Sequence, residues 1–189
     1  MIERLTSERL EITPLRLADA GDILRLLNDA DFLRFIGDRG VRTLEDACDY
    51  LRRGPLQSYS RHGIGLWRVG LRQTGAMIGV CGLLCREPLE MPDLGYALLM
   101  EFRHQGYARE ASQRVLDYAR DGLQLPRVLA LVDPLNEDSI GLLNRLGFRP
   151  LKQLQLEAQG PSLLLLVKRL APRSGPLRVT PAPSRGGAC

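Results

Sequence analysis

The run Arg103-His104-Gln105-Gly106-Tyr107-Ala108 has the residue types and the placement to hold an anion. It stands between a stretch of strand character, Asp93 to Met100, and a helical pattern opening at Gly106, in which Ala108, Ala111, Val115, Leu116 and Ala119 recur at helical spacing. The first amides of a helix have no intrahelical acceptor and lie at the positive end of its dipole. A turn of consecutive N–H groups at that point makes a concavity suited to phosphate. Gly106 lets the backbone come close to a ligand and small Ala108 keeps the wall low. Arg103 or Arg109 could add charge-assisted contacts to phosphate oxygens. The alternative is that Gly106 only starts a helix. The spacing is neither a Gly-Lys-Ser/Thr phosphate loop nor the Gly-x-Gly-x-x-Gly dinucleotide fingerprint.

The elements that must position this run can be read from periodicity. Glu8 to Leu15 alternates and predicts a first strand ending near Pro14. Asp19 to Asp29 predicts a helix with Ile23, Leu24, Leu26 and Leu27 on one face and Asp19 or Asp22 as cap. Thr43 to Arg53 repeats that layout, with Thr43 as cap and Glu45-Asp46 in the first turn. Gly65–Arg72 and Ala76–Cys85 read as a hairpin around Gln73-Thr74-Gly75. Gly95 inside the Asp93–Met100 strand hints at a bulge or close backbone approach. The long helix runs to Leu123 with Gly122 as its C-cap. Val128–Val132 is a short strand, Asn136–Leu146 a helix stopped by Gly147, and Leu151–Ala158 and Ser162–Lys168 are closing strands. Strand–helix alternation after residue 93 calls for a mixed sheet with helices packed on it.

The 189 residues, 44% apolar and 25% charged, suit one domain over residues 1–170 with a core that needs neither disulfides nor a metal. The pI of about 9.1 invites a nucleic-acid reading. However, Arg173, Arg178 and Arg185, with no acid nearby, put +3 of the formal +4 into residues 171–189. That Pro/Gly/Arg-rich tail reads as disordered. The body, at about +1, has no basic stripe interleaved with aromatics, so no nucleic-acid partner is expected. Cys81 and Cys85 lack a second pair or a histidine to complete a metal site and read as buried structural thiols, so no metal is assigned. No apolar run approaches the roughly 20 residues that span a bilayer, and Met1 to Arg4 lacks a signal-peptide layout. A cytoplasmic protein without a membrane partner is expected.

Four stretches, taken in order, resemble the GNAT acetyltransferases, in particular the branch of the RimJ/RimL ribosomal-protein N-terminal acetyltransferases. They are Leu5-Thr-Ser-Glu-Arg-Leu-Glu-Ile-Thr13, then Ile78-Gly-Val-Cys-Gly-Leu83, then Gly95-Tyr-Ala-Leu-Leu through Gln105-Gly-Tyr-Ala-Arg-Glu-Ala111, and Val132-Asp-Pro-Leu-Asn-Glu-Asp-Ser139 through Leu146-Gly-Phe148. The resemblance covers roughly residues 5 to 168. It implies an α/β (α+β mixed) GNAT fold: a twisted, mostly antiparallel sheet of about six to seven strands, flanked by about four helices. A splayed parallel strand pair, here Asp93–Met100 and Val128–Val132, would hold the cofactor, acetyl-CoA, as acyl donor. Leu98, Leu99 and Met100 would offer backbone groups to the pantetheine arm, Arg103 through Ala108 would surround the pyrophosphate, and Asn136 would hydrogen-bond the arm near the thioester.

The implied reaction is direct attack by a neutral amine on the acetyl thioester, with a backbone N–H near Leu98 stabilising the oxyanion. Many members carry a tyrosine seven residues after the motif asparagine to protonate the thiolate, whereas this chain has Leu143. Ser139 is the substitute the resemblance suggests, and its alternative is helix packing or a local cap bond. Asp93 is the leading candidate base, ahead of Glu90 and Glu101; its alternative is a solvated turn carboxylate. His104 stands where close relatives often have glycine, and there it either strains mildly at positive φ or reaches a phosphate. Tyr96 and Trp67 read as core or channel-wall residues. The acceptor, a small-molecule or peptide amine, would be read by the Asp31–Gly63 region, where Asp31, Asp38, Glu45 and Asp46 either attract a cation or cap a helix. A homodimer is common among such proteins. The competing reading is a non-catalytic module that binds acyl-CoA.

Overall fold

A computed structural model describes residues 4–156 and 160–171. The expected disordered tail falls, from residue 172 on, outside the described residues. The frame is one eight-stranded sheet in the order β1-β2-β3-β4-β5-β6-β8-β7. Its strands are β1 Leu5–Thr6, β2 Leu10–Pro14, β3 Leu66–Leu71, β4 Met77–Leu84, β5 Asp93–Leu98, β6 Arg127–Val132, β7 Arg149–Leu154 and β8 Leu163–Arg169. Every neighbouring pair is antiparallel except β5/β6. The strand beyond the expected six or seven is β1, a two-residue edge too short to alternate.

The helices are α1 Ala20–Leu27, α2 Ala30–Phe35, α3 Leu44–Leu51, α4 Gln57–His62, α5 Tyr107–Asp121 and α6 Glu137–Arg145. Thr43 caps α3 as expected, in a reciprocal box with Asp46. Gly54-Pro55 does not end that helix, as sequence spacing suggests. Residues Arg52–Leu56 widen into a π-turn that carries the chain into α4, and the wider turn takes in a proline that donates no hydrogen bond. At the end of α5, Gly122 keeps right-handed dihedrals, and the left-handed residue is Gln124 at φ 54°.

Two hydrophobic layers clamp the sheet. Ala111, Val115, Leu116 and Ala119 of α5, Leu142 and Leu143 of α6 and its C-cap Leu146 pack with Trp67, Ile78, Cys81, Leu83, Leu94 and Leu98 on one face. Ile23, Leu26 and Leu27 of α1 and Ala47 and Leu51 of α3 cover Met77, Val80 and Leu99 on the other. Met77 and Val80 share a face although simple alternation would separate them. The cause is a bulge: β3 pairs Val69 with Gly79 and then Gly70 with Met77, which leaves Ile78 as the extra residue. A Cβ at Gly79 would sit 2.2 Å from the Ala97 carbonyl oxygen, so only glycine fits there.

The seam between β5 and β6 is the feature that positions the site. The two strands share a single register pair, Asp93 with Leu129, beside the Leu129 N–H to Pro92 O bond of 3.0 Å. Past that rung β6 stays fully paired with β8, from Arg127 opposite Arg169 to Val132 opposite Leu164, and β5 diverges from it. β5 closes at Leu98 rather than Met100. Leu99 bonds back to Ile78 O at 2.9 Å, and Met100–Phe102 form a 3-10 turn.

Candidate active site

The loop after β5 is built to leave donors free. His104 and Gly106 both take left-handed dihedrals, φ 58° and 84°, and alternate with ordinary ones into the head of α5. Such an alternation turns successive N–H groups toward one concave side. The backbone N–H groups of residues 104 through 109 reach no acceptor among the described residues, and the first helical bond is Glu110 N–H to Gly106 O at 3.1 Å. The positive φ of His104 is thus part of the loop's shape, and its ring lies 3.9 Å from the Asp138 carboxylate.

The arginine expected at the phosphates is committed elsewhere. The Arg103 guanidinium pairs with Asp29 and Asp31 of the α2 start and donates from Nε to Leu98 O at 3.0 Å. Arg103 therefore acts as a strut that fixes where the loop leaves β5, and Asp31 is not left over to attract a cationic acceptor. Nor is Asp38, which pairs with Arg42, nor Asp46, which caps α3. Arg109 has no carboxylate partner among the described residues. It lines a cleft of about 400 Å³ beside Gly106, with Gln113 and Arg114.

Sequence reasoning missed a second strut. Arg9, at the head of β2, lies over the Tyr107 ring at 4.3 Å, donates to Gln105 O at 3.1 Å and pairs with Glu110 at 2.8 Å. Burial would raise the Glu110 carboxyl, but the Arg9 N–H, the Ser7 hydroxyl and the Arg9 guanidinium together hold it below the usual range. Ser7, Arg9 and Glu110 all fall inside the family-like motifs, yet nothing local signals that they meet.

Along β5 the backbone faces alternate. Because Leu99 N–H bonds to β4, the backbone groups of Leu98 and Tyr96 point to the opposite side, where β6 has moved away. Leu98 O is taken by Arg103, which leaves the Leu98 N–H aimed into the gap. Met100 is 71% exposed at the rim. Across the gap, Asn136 caps α6 by accepting from the Ser139 N–H at 3.0 Å, so its side-chain oxygen is in use and its amide NH2 remains to donate. Ser139 is half-buried where α6 meets β5. Its hydroxyl lies 2.7 Å from the Tyr96 hydroxyl, a pairing the sequence did not reveal. Burial raises Tyr96 to about 12, against the pull of that hydrogen bond.

Asp93 lies on the other face of β5, in register with Ala97 rather than Tyr96. It is 1% exposed, so it is no solvated turn carboxylate. Among the described residues its one ion pair is to Arg86 Nε at 3.0 Å, and burial lifts its carboxyl to about 6 although the Arg86 charge opposes the shift. The weaker candidates Glu90 and Glu101 lie exposed, paired with Arg127 and Arg25. Cys81 is buried in the core and its thiol is raised to about 12 by burial, whereas Cys85, beyond the end of β4, is exposed rather than buried as expected. Among the described residues no helix is long and apolar enough to cross a membrane.

A family description, the acetyltransferase (GNAT) domain, matches residues 9–149, which contain β2 through α6 and every group described above except Ser7 and the β8 side of the seam. The chain belongs to the GNAT acetyltransferase family. Membership carries acetyl-CoA-dependent N-acetylation, and the chain is a transferase. It is 28% identical over 150 residues to the uncharacterized N-acetyltransferase p20 of Bacillus licheniformis, covering 78% of this chain and 83% of that one. An acetyltransferase from Agrobacterium tumefaciens has the same fold, with TM-score 0.75, 25% identity and coverage of 89% and 95%. The ribosomal-protein alpha-N-acetyltransferase RimL, solved with coenzyme A, shares the fold at TM-score 0.77 and 16% identity, covering 89% of this chain and 98% of RimL.

The residues of this GNAT chain fit the donor. The free N–H groups of 104–109 suit a pyrophosphate and the open edge at Leu98 suits an amide-bearing arm. With Arg103 committed, Arg109, which lines the cleft beside Gly106, is the expected arginine contact to a phosphate oxygen. Arg109→Ala is expected to raise the KM for acetyl-CoA roughly 5-fold at low salt, as for an exposed charge-assisted contact, and to have less effect as salt screens the wild type. Initial rates at two ionic strengths check this; equal KM values at low salt would remove Arg109 from the site.

Proposed function

We propose that this acetyltransferase moves an acetyl group from acetyl-CoA to a primary amine by direct attack in a ternary complex, the acceptor and donor entering the β5/β6 gap from opposite faces of the sheet. The observation that carries this reading is the arrangement on β5: a buried carboxyl, Asp93, faces the α1–α3 layer, and the Tyr96–Ser139 hydroxyl pair faces α6. The acetyl thioester supplies an activated acyl carbon and a thiol as leaving group. Asp93, raised to about 6, is ionised at neutral pH and receives the amine proton through water. The Leu98 N–H donates to the developing oxyanion. Ser139 gives its proton to the departing sulfur as the Tyr96 hydroxyl passes its own proton to Ser139, and solvent returns a proton to Tyr96 once the thiol has left. Residues 98–100, 104–109 and Asn136 hold the donor so that positioning supplies much of the acceleration.

The test is acetyl-CoA turnover with a panel of amines and peptides, following free thiol. Absence of turnover above hydrolysis across the panel would sink the reading. Because a thiol leaves readily, Ser139→Ala is expected to cost only roughly 10-fold in kcat, below the usual range for a general acid. Tyr96→Phe should cost about the same, and the double variant little more, since the two hydroxyls act as one relay. Fully additive losses would show that they act separately.

A further inference from the structure

We infer that the open face of β6, β8 and β7 binds the acceptor, and that the acceptor it fits is an apolar peptide N-terminus with acidic residues a few positions in. This rests on the transferase reading above and names the acceptor class. The α1–α3 layer covers Met77, Val80 and Leu99, and its buried cluster takes in no residue of β6, β7 or β8. That side of the last three strands is left uncovered by helices among the described residues.

Cross-strand partners share a face, so the register says what this face carries. One row crosses four strands: Asp93 of β5 stands opposite Leu129, Leu129 opposite Val167, and Val167 opposite Arg149. The row beside it is Leu131, Leu165 and Lys152. Arg149 and Lys152 are three positions apart, and a bulge that leaves Leu151 unpaired keeps them on one side. Val128, Ala130 and Leu166 belong to the α5–α6 core, so both rows lie on the other face, the one that carries Asp93. Leu129 and Leu165 are buried, and Leu131 and Val167 are half-buried. The result is an apolar floor that begins beside the candidate base and ends on two cations.

The rim is of one sign. Arg149, Lys152 and Arg169 are exposed, and none has a carboxylate partner among the described residues. Arg127, opposite Arg169, is the rim cation that has one, Glu90 at 3.6 Å. A second copy docked through the same face would set these cations against one another. A nucleic acid would find no aromatic side chain on β6, β7 or β8 to stack a base. An apolar, acidic peptide complements both floor and rim. Strands about 4.8 Å apart place Arg149 roughly 14 Å from Asp93 along the row. An extended chain advances about 3.4 Å per residue, so a peptide with its amine at Asp93 brings roughly its fourth and fifth side chains to Arg149 and Lys152. The amine nitrogen forms the new N–C bond as the C–S bond breaks, its proton leaves toward Asp93, and the thiolate takes a proton from Ser139.

The experiment uses the peptide amide Ala-Val-Leu-Glu-Glu-Leu-Ala and its Gln-Gln and Arg-Arg counterparts, followed by thiol release from acetyl-CoA. At low salt the acidic peptide is expected to exceed the Gln-Gln one about 10-fold in kcat/KM, two exposed charge pairs each giving a factor of a few, and to lose that advantage as salt rises. Moving the two acids to the first two positions should remove the advantage. Arg149→Glu with Lys152→Glu should invert the order, so that the Arg-Arg peptide becomes the best, which a merely structural role would not produce. Anisotropy of the same peptides, dye-labelled at their C-termini, reads the charge preference whether or not turnover occurs. Equal kcat/KM for the three peptides, with turnover present, would overturn the inference and leave the transferase reading standing. So would tighter binding of phosphatidylserine vesicles or of oligothymidylate than of the acidic peptide. Binding that follows peptide charge and inverts in the double variant, with no turnover of any amine, would uphold the surface and sink the catalytic reading alone.

Discussion

Replacing Gly106 with valine is expected to weaken coenzyme A binding roughly 10- to 100-fold. Gly106 stands at φ 84°, where a β-branched residue is held only at a cost of about 1–3 kcal/mol. A Cβ there would also lie 3.3 Å from Nη2 of Arg9, the strut that bonds Gln105 O and stacks on Tyr107. The loop can relieve that strain only by rotating out of the conformation that collects the N–H groups of 104 through 109. At about 1.4 kcal/mol per factor of ten, the strain converts directly into the stated loss of affinity. Calorimetric titration with coenzyme A reads it without any assumption about catalysis, and a Kd within threefold of wild type would show that the loop is not where the phosphates bind.

Asp93→Asn is expected to lower kcat/KM on the order of 100-fold and to abolish the acid limb of the pH–rate profile. A positioned base contributes typically 10²–10⁴-fold, and relay through water favours the lower end. With the carboxyl lifted to about 6, wild-type activity should climb as pH rises through that value and level off above it. The same shift has a stability consequence of definite sign. Folding favours the protonated carboxyl, so the stabilisation from Asp93 is fully present below the unfolded pKa near 3.8 and is lost as pH rises to about 6. At pH 8 the variant should therefore melt no lower than wild type, and higher if burial of the charge dominates the loss of the Arg86 pair. A variant that loses activity and melts lower at pH 8 would identify Asp93 as a structural anchor for Arg86 and not as the base.

The sequence discloses what depends on local pattern. The loop announces itself because strand, turn and helix follow one another directly and Gly106 marks where they meet. The α6 cap is equally local, Asn136 and Ser139 being three residues apart, yet Asn136 reads only as a ligand contact until its side chain is seen to accept from the Ser139 N–H. What stays hidden depends on distance along the chain. Arg103 finds Asp29 and Asp31 more than seventy positions earlier, and Arg9 finds Glu110 across about a hundred. A side chain that can serve either a phosphate or a carboxylate is not assigned by its type. The same holds for Tyr96, whose hydroxyl reads as channel wall until α6 is placed beside it. The burial of Asp93 stays hidden for another reason: a charge at a strand start beside a polar loop looks solvated, and only the packed sheet buries it. The long α3–α4 run is masked by Gly54-Pro55, residues that usually stop a helix and here sit inside a π-turn.

The single rung between Asp93 and Leu129 divides the sheet mechanically into two plates, β1 to β5 and β6 to β8 with β7, held across the divide by the α5 and α6 core rather than by a ladder. A donor lying in the gap would therefore complete a ladder that the polypeptide leaves unfinished. Its amide-bearing arm would act as a removable strand whose presence couples the plates, so occupancy is felt as stiffness along the whole seam. Amide hydrogen exchange at the edge-facing Tyr96, Leu98 and Leu131 would then slow together when coenzyme A is added, and the plates would breathe independently when it leaves.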